Sequence, residues 1–436
     1  MITPDRVPEQ ILACIERLEA SGYESWLVGG AVRDLLLNQT SSDWDVATAA
    51  QPAETEAVFE AYRVISIGRA HGTVRVIADD LAVDVTTCRV DGDYLDSRHP
   101  EHVTYTSSIR EDLSRRDFTI NAMAWHPIRG LYDPFGGQDD LIRQTIKAVG
   151  NASARLQEDA LRIMRALRFS AVLGFSLDEP LRAAIFKHGH LLQKLPAERL
   201  GMEWSQLLFG SCAAVIVSRF MPVLQLALPE TPNARPFAAW RALSKLQNAD
   251  VLRHVAFAAA MALDRSWLNT LPLNQPDRQR AMALYALLTS RDLPPVSADT
   301  MEWRWLAARV GVEVVSDFLK LQKSLTDAEE PWLFLEEAVE TWKKSGFLTV
   351  RDLAVNGHKL RNAGVRPRHI GQMQKRLFIA VADGSTANNE AALLETVKLW
   401  YNLKDFPATG YADSPAHTQL TGDGGKNGQR NEKTDY

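Results

Sequence analysis

Cysteine is scarce in this chain. The 436 residues hold three, Cys14, Cys88 and Cys212, odd in number and widely spaced, which argues against a disulfide framework and against a thiolate zinc site. They read as buried small hydrophobes. No apolar run approaches the roughly 20 residues that a bilayer span needs, and Met1 to Arg17 lacks a basic region followed by a long apolar stretch. A cytoplasmic protein with no membrane attachment is the expectation. An excess of basic charge is also missing: the formal net charge is −5, so any site for a polyanion has to be a local basic patch. Arginine is concentrated accordingly, with Arg110, Arg115, Arg116, Arg155, Arg162, Arg165 and Arg168 falling within about sixty residues.

At 436 residues the chain is too long for one ordinary core, and about two to four packed units are expected. To about Val149 it reads as mixed α and β. A helix from about Pro8 to Ala20 leads into a strand at Trp26 to Val28, a helix at Ala31 to Leu37 and a strand at Asp43 to Ala47. Gln51-Pro52-Ala53-Glu54 looks like a helix start. Val64 to Ile67, Thr73 to Ile77 and Leu81 to Thr86 cluster β-branched residues between glycine and aspartate breaks, as strands do. From Asn151 to about Leu403 the apolar spacing becomes three and four, as in Leu161, Met164, Leu167, Val172 and Leu173, or Leu335, Ala338 and Trp342. Pro196, Pro222, Pro229, Pro232, Pro272, Pro294, Pro295 and Pro331 are expected between these helices. Thr409 to Tyr436, with few large apolar residues and a Gly-rich run, reads as a disordered tail.

The chemistry gathers at Leu27-Val28-Gly29-Gly30-Ala31-Val32-Arg33-Asp34 and Asp43-Trp44-Asp45. Two carboxylates one residue apart on an extended segment project to the same side, so Asp43 and Asp45 can share a divalent ion or hold a close pair. Two glycines that end an apolar run let backbone N–H groups approach an anion, with the start of the following helix aimed at it. Phosphoryl and nucleotidyl transfer need this combination, because Mg²⁺ is commonly shared between a couple of carboxylates and substrate phosphates. Asp84, an acid flanked by apolar residues in Ala82-Val83-Asp84-Val85-Thr86, has two readings: a third acid of that site, or a residue on the solvated face of an edge strand.

Further segments extend the pattern in order: Arg115-Arg116-Asp117-Phe118-Thr119-Ile120-Asn121-Ala122, Asp133-Pro134-Phe135-Gly136-Gly137, and Glu158-Asp159-Ala160-Leu161-Arg162-Ile163-Met164-Arg165-Ala166-Leu167-Arg168-Phe169. From about Leu27 to Leu208 the series resembles the ordered motifs of the class II tRNA nucleotidyltransferases, the CCA-adding enzymes and their bacterial poly(A) polymerase relatives. The helical remainder resembles them more loosely. The resemblance implies an α+β chain: a nucleotidyltransferase head of mixed sheet and helices at 1–149, a helical neck at 150–210, a helical body at 211–330 and a tRNA-binding helical tail at 331–408.

It also implies roles. Asp43, Asp45 and Asp84 would be catalytic, the first two holding Mg²⁺ in a two-metal mechanism. Gly30 and Arg33 would hold the triphosphate, Arg116 would add charge near the sugar and phosphates, and Asp117 and Asn121 would fix local backbone and ribose. Asp159, Arg162, Arg165 and Arg168 step by three and are expected on one face of one helix. There Asp159 and Arg162 could imitate a pairing edge, favouring cytosine and adenine, whose exocyclic amines meet the carboxylate. The implied partners are the tRNA 3′ end, CTP and ATP.

Between Arg89 and Val103, the segment Arg89-Val90-Asp91-Gly92-Asp93-Tyr94-Leu95-Asp96-Ser97-Arg98-His99-Pro100 resembles the mobile loop that lets such enzymes move from CTP to ATP, which disfavours a CC-only product. Gly68-Arg69-Ala70-His71-Gly72-Thr73 is nearer the CCA-adding form than the poly(A) form. No His-Asp dipeptide occurs, so the phosphohydrolase appendage of some relatives is expected to be absent. Gly364-Val365-Arg366-Pro367-Arg368-His369-Ile370-Gly371 either grips RNA, with Arg361, Arg366 and Arg368 forming the basic patch, or simply joins two helices. Addition of A alone, poly(A) synthesis and a silent RNA-binding relative are the competing readings.

Overall fold

In the computed structural model the described residues are 2–65, 72–92, 103–229, 233–246, 250–295, 300–326, 330–344, 346 and 348–402. The expected tail at 409–436, and the 67–71 and 93–102 parts of the two segments used to choose among family members, lie outside them. The chain divides into two compact units, Met1–Phe347 and Leu348–Tyr436.

The first unit opens with helix α1 (Glu9–Ala20), whose Ile11, Cys14, Ile15 and Leu18 recur at helical spacing and are buried. Strand β1 (Ser25–Val28) runs into α2 (Gly30–Leu36), β2 (Asp45–Thr48) and α3 (Pro52–Val58), the last started by a capping box between Gln51 and Glu54. β3 (Arg63–Ile65), β4 (Thr73–Ala78) and β5 (Leu81–Thr87) follow. The seven-stranded sheet is ordered β3-β4-β5-β2-β1-β8-β9. Here β8 is Ala124–His126 and β9 is Gly130–Tyr132. Only β2 and β5 pair in parallel; the other neighbours are antiparallel. A separate pair, β6 (Arg89–Asp91) with β7 (Val103–Tyr105), precedes α4 (Ile109–Ser114).

Both faces of the sheet are covered. Leu27, Val46, Val76, Val83 and Val85 enter the large core that continues into the helices, whereas Trp26, Val28, Ala47 and Cys88 pack with Ile109, Leu113, Ala122 and Ala124. Cys14 and Cys88 are buried as expected, and Cys212 is half-buried.

Beyond α5 (Gly137–Ile142) the described residues of the unit hold helices and one short parallel pair, β10 (Thr145–Ile146) with β11 (Ser176–Leu177). α6 (Ala152–Glu158), α7 (Leu161–Leu173), α8 (Glu179–His188) and α9 (Ala197–Phe209) come first. Then follow α10 (Ala213–Leu224), α11 (Pro236–Lys245), α12 (Asp250–Ala260), α13 (Gln275–Thr289), α14 (Met301–Val310), α15 (Val312–Leu325) and α16 (Glu330–Lys344). Within the span of α10 two helical segments meet at a kink where Phe220 leaves helical angles (φ −109°, ψ 15°), two residues before Pro222, the break a proline ring imposes on the preceding turn. Glycines allow close approach at two points: at Gly210, after α9, a Cβ would lie 2.5 Å from the carbonyl oxygen of Ala171 in α7, and at Gly201 in α9 it would lie 2.0 Å from that of Thr270, in the segment before α13.

The second unit has its own core of Val355, Leu360, Val365, Met373, Leu377, Leu393 and Val397. It is built from α17 (Gly357–Asn362), α18 (Ile370–Ala382) and α19 (Glu390–Asn402). Among the described residues no helix is long and apolar enough to cross a membrane.

Candidate active site

The acid couple sits where β2 begins. Trp44 is buried and Asp43 and Asp45 flank it, Asp43 exposed and Asp45 half-buried, the alternation that an extended segment imposes. The strand starts at Asp45, not at the expected Asp43; Asp43 is preceded by a tight turn in which the Ser41 hydroxyl donates to its carbonyl at 2.9 Å. Parallel pairing sets Asp84 of β5 beside Asp45. β5 is an inner strand, between β4 and β2, so the edge-strand reading of Asp84 falls.

Crowding shows in Asp45, whose carboxyl is pushed up to about 6 by burial first and by the negative charge of Asp43 next, against the opposing charge of Arg116. A site that raises the cost of its own negative charge in this way is chemically suited to a divalent cation with oxygen ligands. Among the described residues no group of three or more His, Cys, Asp or Glu side chains is arranged as a metal cluster; Asp84, beside Asp45, is engaged by an arginine. Both of its oxygens are taken by Arg75, Nε at 2.6 Å and Nη2 at 2.7 Å.

The glycine turn lies against this couple. Gly29 adopts φ +73°, and a Cβ there would fall 2.9 Å from Nη1 of Arg116 and 3.6 Å from Oδ2 of Asp45. Of the two glycines expected to allow close approach, Gly29 is the one where the crowding requires it, whereas the triphosphate role is expected of Gly30. Gly30 is the first helical residue, with ordinary space around its α-carbon. α2 is only seven residues long, so the fixed charge at the turn comes chiefly from arginines and less from the helix end. Arg116 is oriented by Asp112, which accepts from its Nη2 at 3.1 Å and from Nε and Nη2 of Arg115 at 2.9 and 2.7 Å. Burial alone would raise the Asp112 carboxyl, yet Arg116 and Arg115 hold it below the ordinary range.

Arg33 connects the turn to the rest of the site. Its Nη1 donates to Asn121 Oδ1 at 2.8 Å, and its guanidinium lies 5.1 Å from the centre of the Phe169 ring. Asn121 donates to Asp117, and Asp117 accepts from Nε of Arg165 at 2.7 Å. Burial pushes the Asp117 carboxyl up, and Arg165 outweighs it, leaving the group below its usual value. Arg165 and Arg168 also cover Phe169, at 5.5 and 4.2 Å, and both face buried Glu203 of α9, with Arg168 Nε 3.0 Å from its Oε2. Glu203 and Arg75 were not among the expected site residues. Arg75 was legible from hairpin arithmetic: a two-residue turn at Asp79-Asp80 pairs Ala78 with Leu81 and hence Arg75 with Asp84. Glu203, with Pro196-Ala197-Glu198-Arg199-Leu200 before it, resembles the last of the ordered motifs, a helical element expected to support the neck and not to touch the reaction.

The expected single helical face from Asp159 to Arg168 needs correction. Asp159 is not on that helix; it ends α6 with extended angles (φ −136°, ψ 105°), and α7 begins at Leu161. The cause is a local side-chain bond: the Asp159 carboxylate accepts from the Leu161 N–H at 3.0 Å, which favours a non-helical backbone at that position. Its other oxygen lies 3.6 Å from Arg199 of α9. Arg162 is buried and donates to Glu158 at 2.7 Å and to the carbonyls of Arg155 and Arg115 at 3.1 and 2.9 Å. Three of its five N–H donors are used in these bonds, and they fasten the start of α7 to the end of α4.

In the second unit Arg361 ends α17, and Arg366 and Arg368 lie about the turn before α18; all three are exposed. Gly364 takes φ +91° there. The residues do join two helices, and they also place three cations on one short surface segment.

Residues 25–147 match the family model described as "Poly A polymerase head domain", and residues 174–220 match "Probable RNA and SrmB- binding site of polymerase A". The chain is 35% identical over 354 residues to a CCA-adding enzyme of Anoxybacillus flavithermus, covering 80% of this chain and 86% of the relative. It is 33% identical over 403 residues to one of Lactobacillus delbrueckii subsp. bulgaricus, covering 88% and 96%. In three dimensions it is similar to the Bacillus stearothermophilus CCA-adding enzyme in complex with CTP, with a TM-score of 0.75 and 30% identity over 91% of this chain and 98% of that one.

Proposed function

This chain belongs to the family of CCA-adding enzymes, the class II tRNA nucleotidyltransferases, and from that premise we propose that it adds C, C and A to the 3′ end of tRNA from CTP and ATP without a nucleic-acid template. The supporting observation is a pair of adjoining groups. In one, Gly29 lies close to both Asp45 and Arg116; in the other, hydrogen bonds lead from Arg33 through Asn121 and Asp117 to Arg165 of α7.

In the proposed reaction the terminal 3′-hydroxyl attacks the α-phosphorus in line, the bond to the β-phosphate oxygen breaks, and pyrophosphate leaves with the electron pair. Asp43 and Asp45 would hold Mg²⁺, which when bound, as two ions, lowers the pKa of the attacking hydroxyl and neutralises the departing pyrophosphate. Arg33 and Arg116 bind and orient the triphosphate from fixed positions, so little reorganisation is needed as charge shifts onto the leaving group. Asp84 supports the same strand row.

Asp159 accepts from the exocyclic amine of the incoming base, and the remaining donors of Arg162 meet its ring acceptors. Uracil or guanine would present a carbonyl to the carboxylate, leaving acceptor against acceptor. Arg165 and Arg168 brace the neighbouring part of the neck through Asp117, Glu203 and Phe169. The neck at 150–210 thus selects the base, the head at 1–149 performs the transfer, the body at 211–330 supports them, and the tail at 331–408 holds tRNA through Arg361, Arg366 and Arg368. A cytoplasmic location belongs to the same proposal and agrees with three cysteines that form no disulfide.

Purified protein incubated with transcripts ending at the discriminator base, in C or in CC, with CTP alone, ATP alone or both, tests the reading. CTP-dependent extension of the bare end, completed by one A, is the expected result. ATP-only extension would replace it with A addition or poly(A) synthesis, and an inert protein with Mg²⁺ present would point to a silent scaffold.

A further inference from the structure

Arg75 has no part in the reaction as derived so far, yet it is the side chain bound most closely to the acidic row. β4 and β5 pair antiparallel with Arg75 opposite Asp84, and β5 pairs with β2 with Asp84 opposite Asp45. Directly opposed residues present side chains to the same face, so Arg75, Asp84 and Asp45 form one line across three strands. The alternation is regular: Val74, Val76, Val83 and Val85 are buried on the other face. The contact is a bidentate fork, Nε to Oδ1 at 2.6 Å and Nη2 to Oδ2 at 2.7 Å. It is partly shielded, with 37% of the Arg75 side chain and 21% of the Asp84 side chain exposed. The geometry of two parallel N–H···O bonds is the strongest that an arginine makes with a carboxylate. The charge of Arg75 also acts on Asp45, opposing the effects of burial and of Asp43.

A divalent cation and a guanidinium compete for carboxylate oxygens, since each is stabilised by the same negative charge. We propose that Arg75 is a built-in counter-ion that holds Asp84 away from the divalent cation, so that the cation is carried by Asp43 and Asp45 and its affinity is set by Arg75. This rests on the reading of Asp43 and Asp45 as the cation-binding couple. Arg75 stabilises the row of acids when no cation is there and weakens cation binding when one is offered. It is a positioning residue, acting through Asp84 on the ligands of the cation.

The test is binding of Mn²⁺ to the full-length protein without nucleotide or RNA, followed by electron paramagnetic resonance of free Mn²⁺ and repeated as the Mg²⁺-induced shift in melting temperature. Arg75→Gln should bind Mn²⁺ at least about fivefold more tightly than the unaltered protein, because the positive charge that pairs with Asp84 is removed and Asp84 is left free to reach the cation. Arg75→Lys, which keeps the charge and loses the fork, should fall between the two, and Arg75→Gln combined with Asp84→Asn should return toward the starting affinity. Circular dichroism of each variant establishes that it is folded. Unchanged or weaker Mn²⁺ binding in folded Arg75→Gln overturns the counter-ion role while leaving the Asp43 and Asp45 reading intact. Mn²⁺ binding that survives Asp43→Ala with Asp45→Ala overturns that reading itself, and this inference with it.

Discussion

Asp43 and Asp45 face the same side because a single buried residue, Trp44, separates them on extended chain, and their proximity is dictated by backbone geometry. Asp43→Ala or Asp45→Ala should reduce nucleotide incorporation below detection while leaving the dissociation constant for tRNA within about threefold, measured by filter binding; an equal loss of both would indicate a folding role instead. Asp117 makes a different kind of statement. Its carboxyl lies below the ordinary carboxylate value because Arg165 outweighs its burial. A depressed pKa means that the unfolded chain takes up the proton first. Its stabilisation is therefore complete above about pH 4 and is lost as pH falls through the folded value. Chemical denaturation at a series of pH values should show a shallower acid limb in Asp117→Asn than in the unaltered protein. Asp45 and Glu203 have raised values, with burial as the first cause, and act with the opposite sign.

At the scale of elements, the change to helix after Asn151 and five of the seven strands of the main sheet were legible, because period-two and period-3.6 patterns are local properties; β8 and β9, three residues each, carried too short a pattern. β4, expected at Thr73 to Ile77, runs Thr73–Ala78; β5, expected at Leu81 to Thr86, runs Leu81–Thr87. Departures arose where a side chain competes with the regular backbone. Asp159 follows α6 with extended angles, its carboxylate on the Leu161 N–H, and the α10 span is kinked at Phe220 ahead of Pro222. Helix approach was hidden as well: nothing local marks Gly201 as the position where α9 meets the carbonyl of Thr270. Gly201→Ala should force these elements apart and lower stability by about 1–3 kcal/mol, read as a fall in melting temperature, with the larger effect expected because the obstructing atom is backbone.

For the molecule as a whole, charge is distributed, not accumulated. A chain of net charge −5 is proposed to bind RNA through arginines concentrated in a few places, with Arg361, Arg366 and Arg368 exposed in the second unit. Each phosphate contact releases counterions, so the salt dependence of binding counts the contacts. Replacing all three by Ala should weaken tRNA binding and reduce the slope of log affinity against log salt by roughly two to three, with CTP affinity unchanged. An unaltered slope would return the segment to a simple helix connection.

Motif order and spacing in the sequence determined the class of chain, the acid couple, the glycine turn and the arginines available to the site, because each of these depends on residues within a few positions of one another. Tertiary structure decided the partners. Arg33 reaches Asn121 across 88 residues and Arg165 reaches Asp117 across 48. Glu203 comes up beneath two arginines from the next helix but one. Arg75 claims the third acid through strand register. Charges of the same type are interchangeable in a sequence. In the fold each is distinguished by which opposite charge lies within hydrogen-bonding distance and by how little water remains to screen the pair.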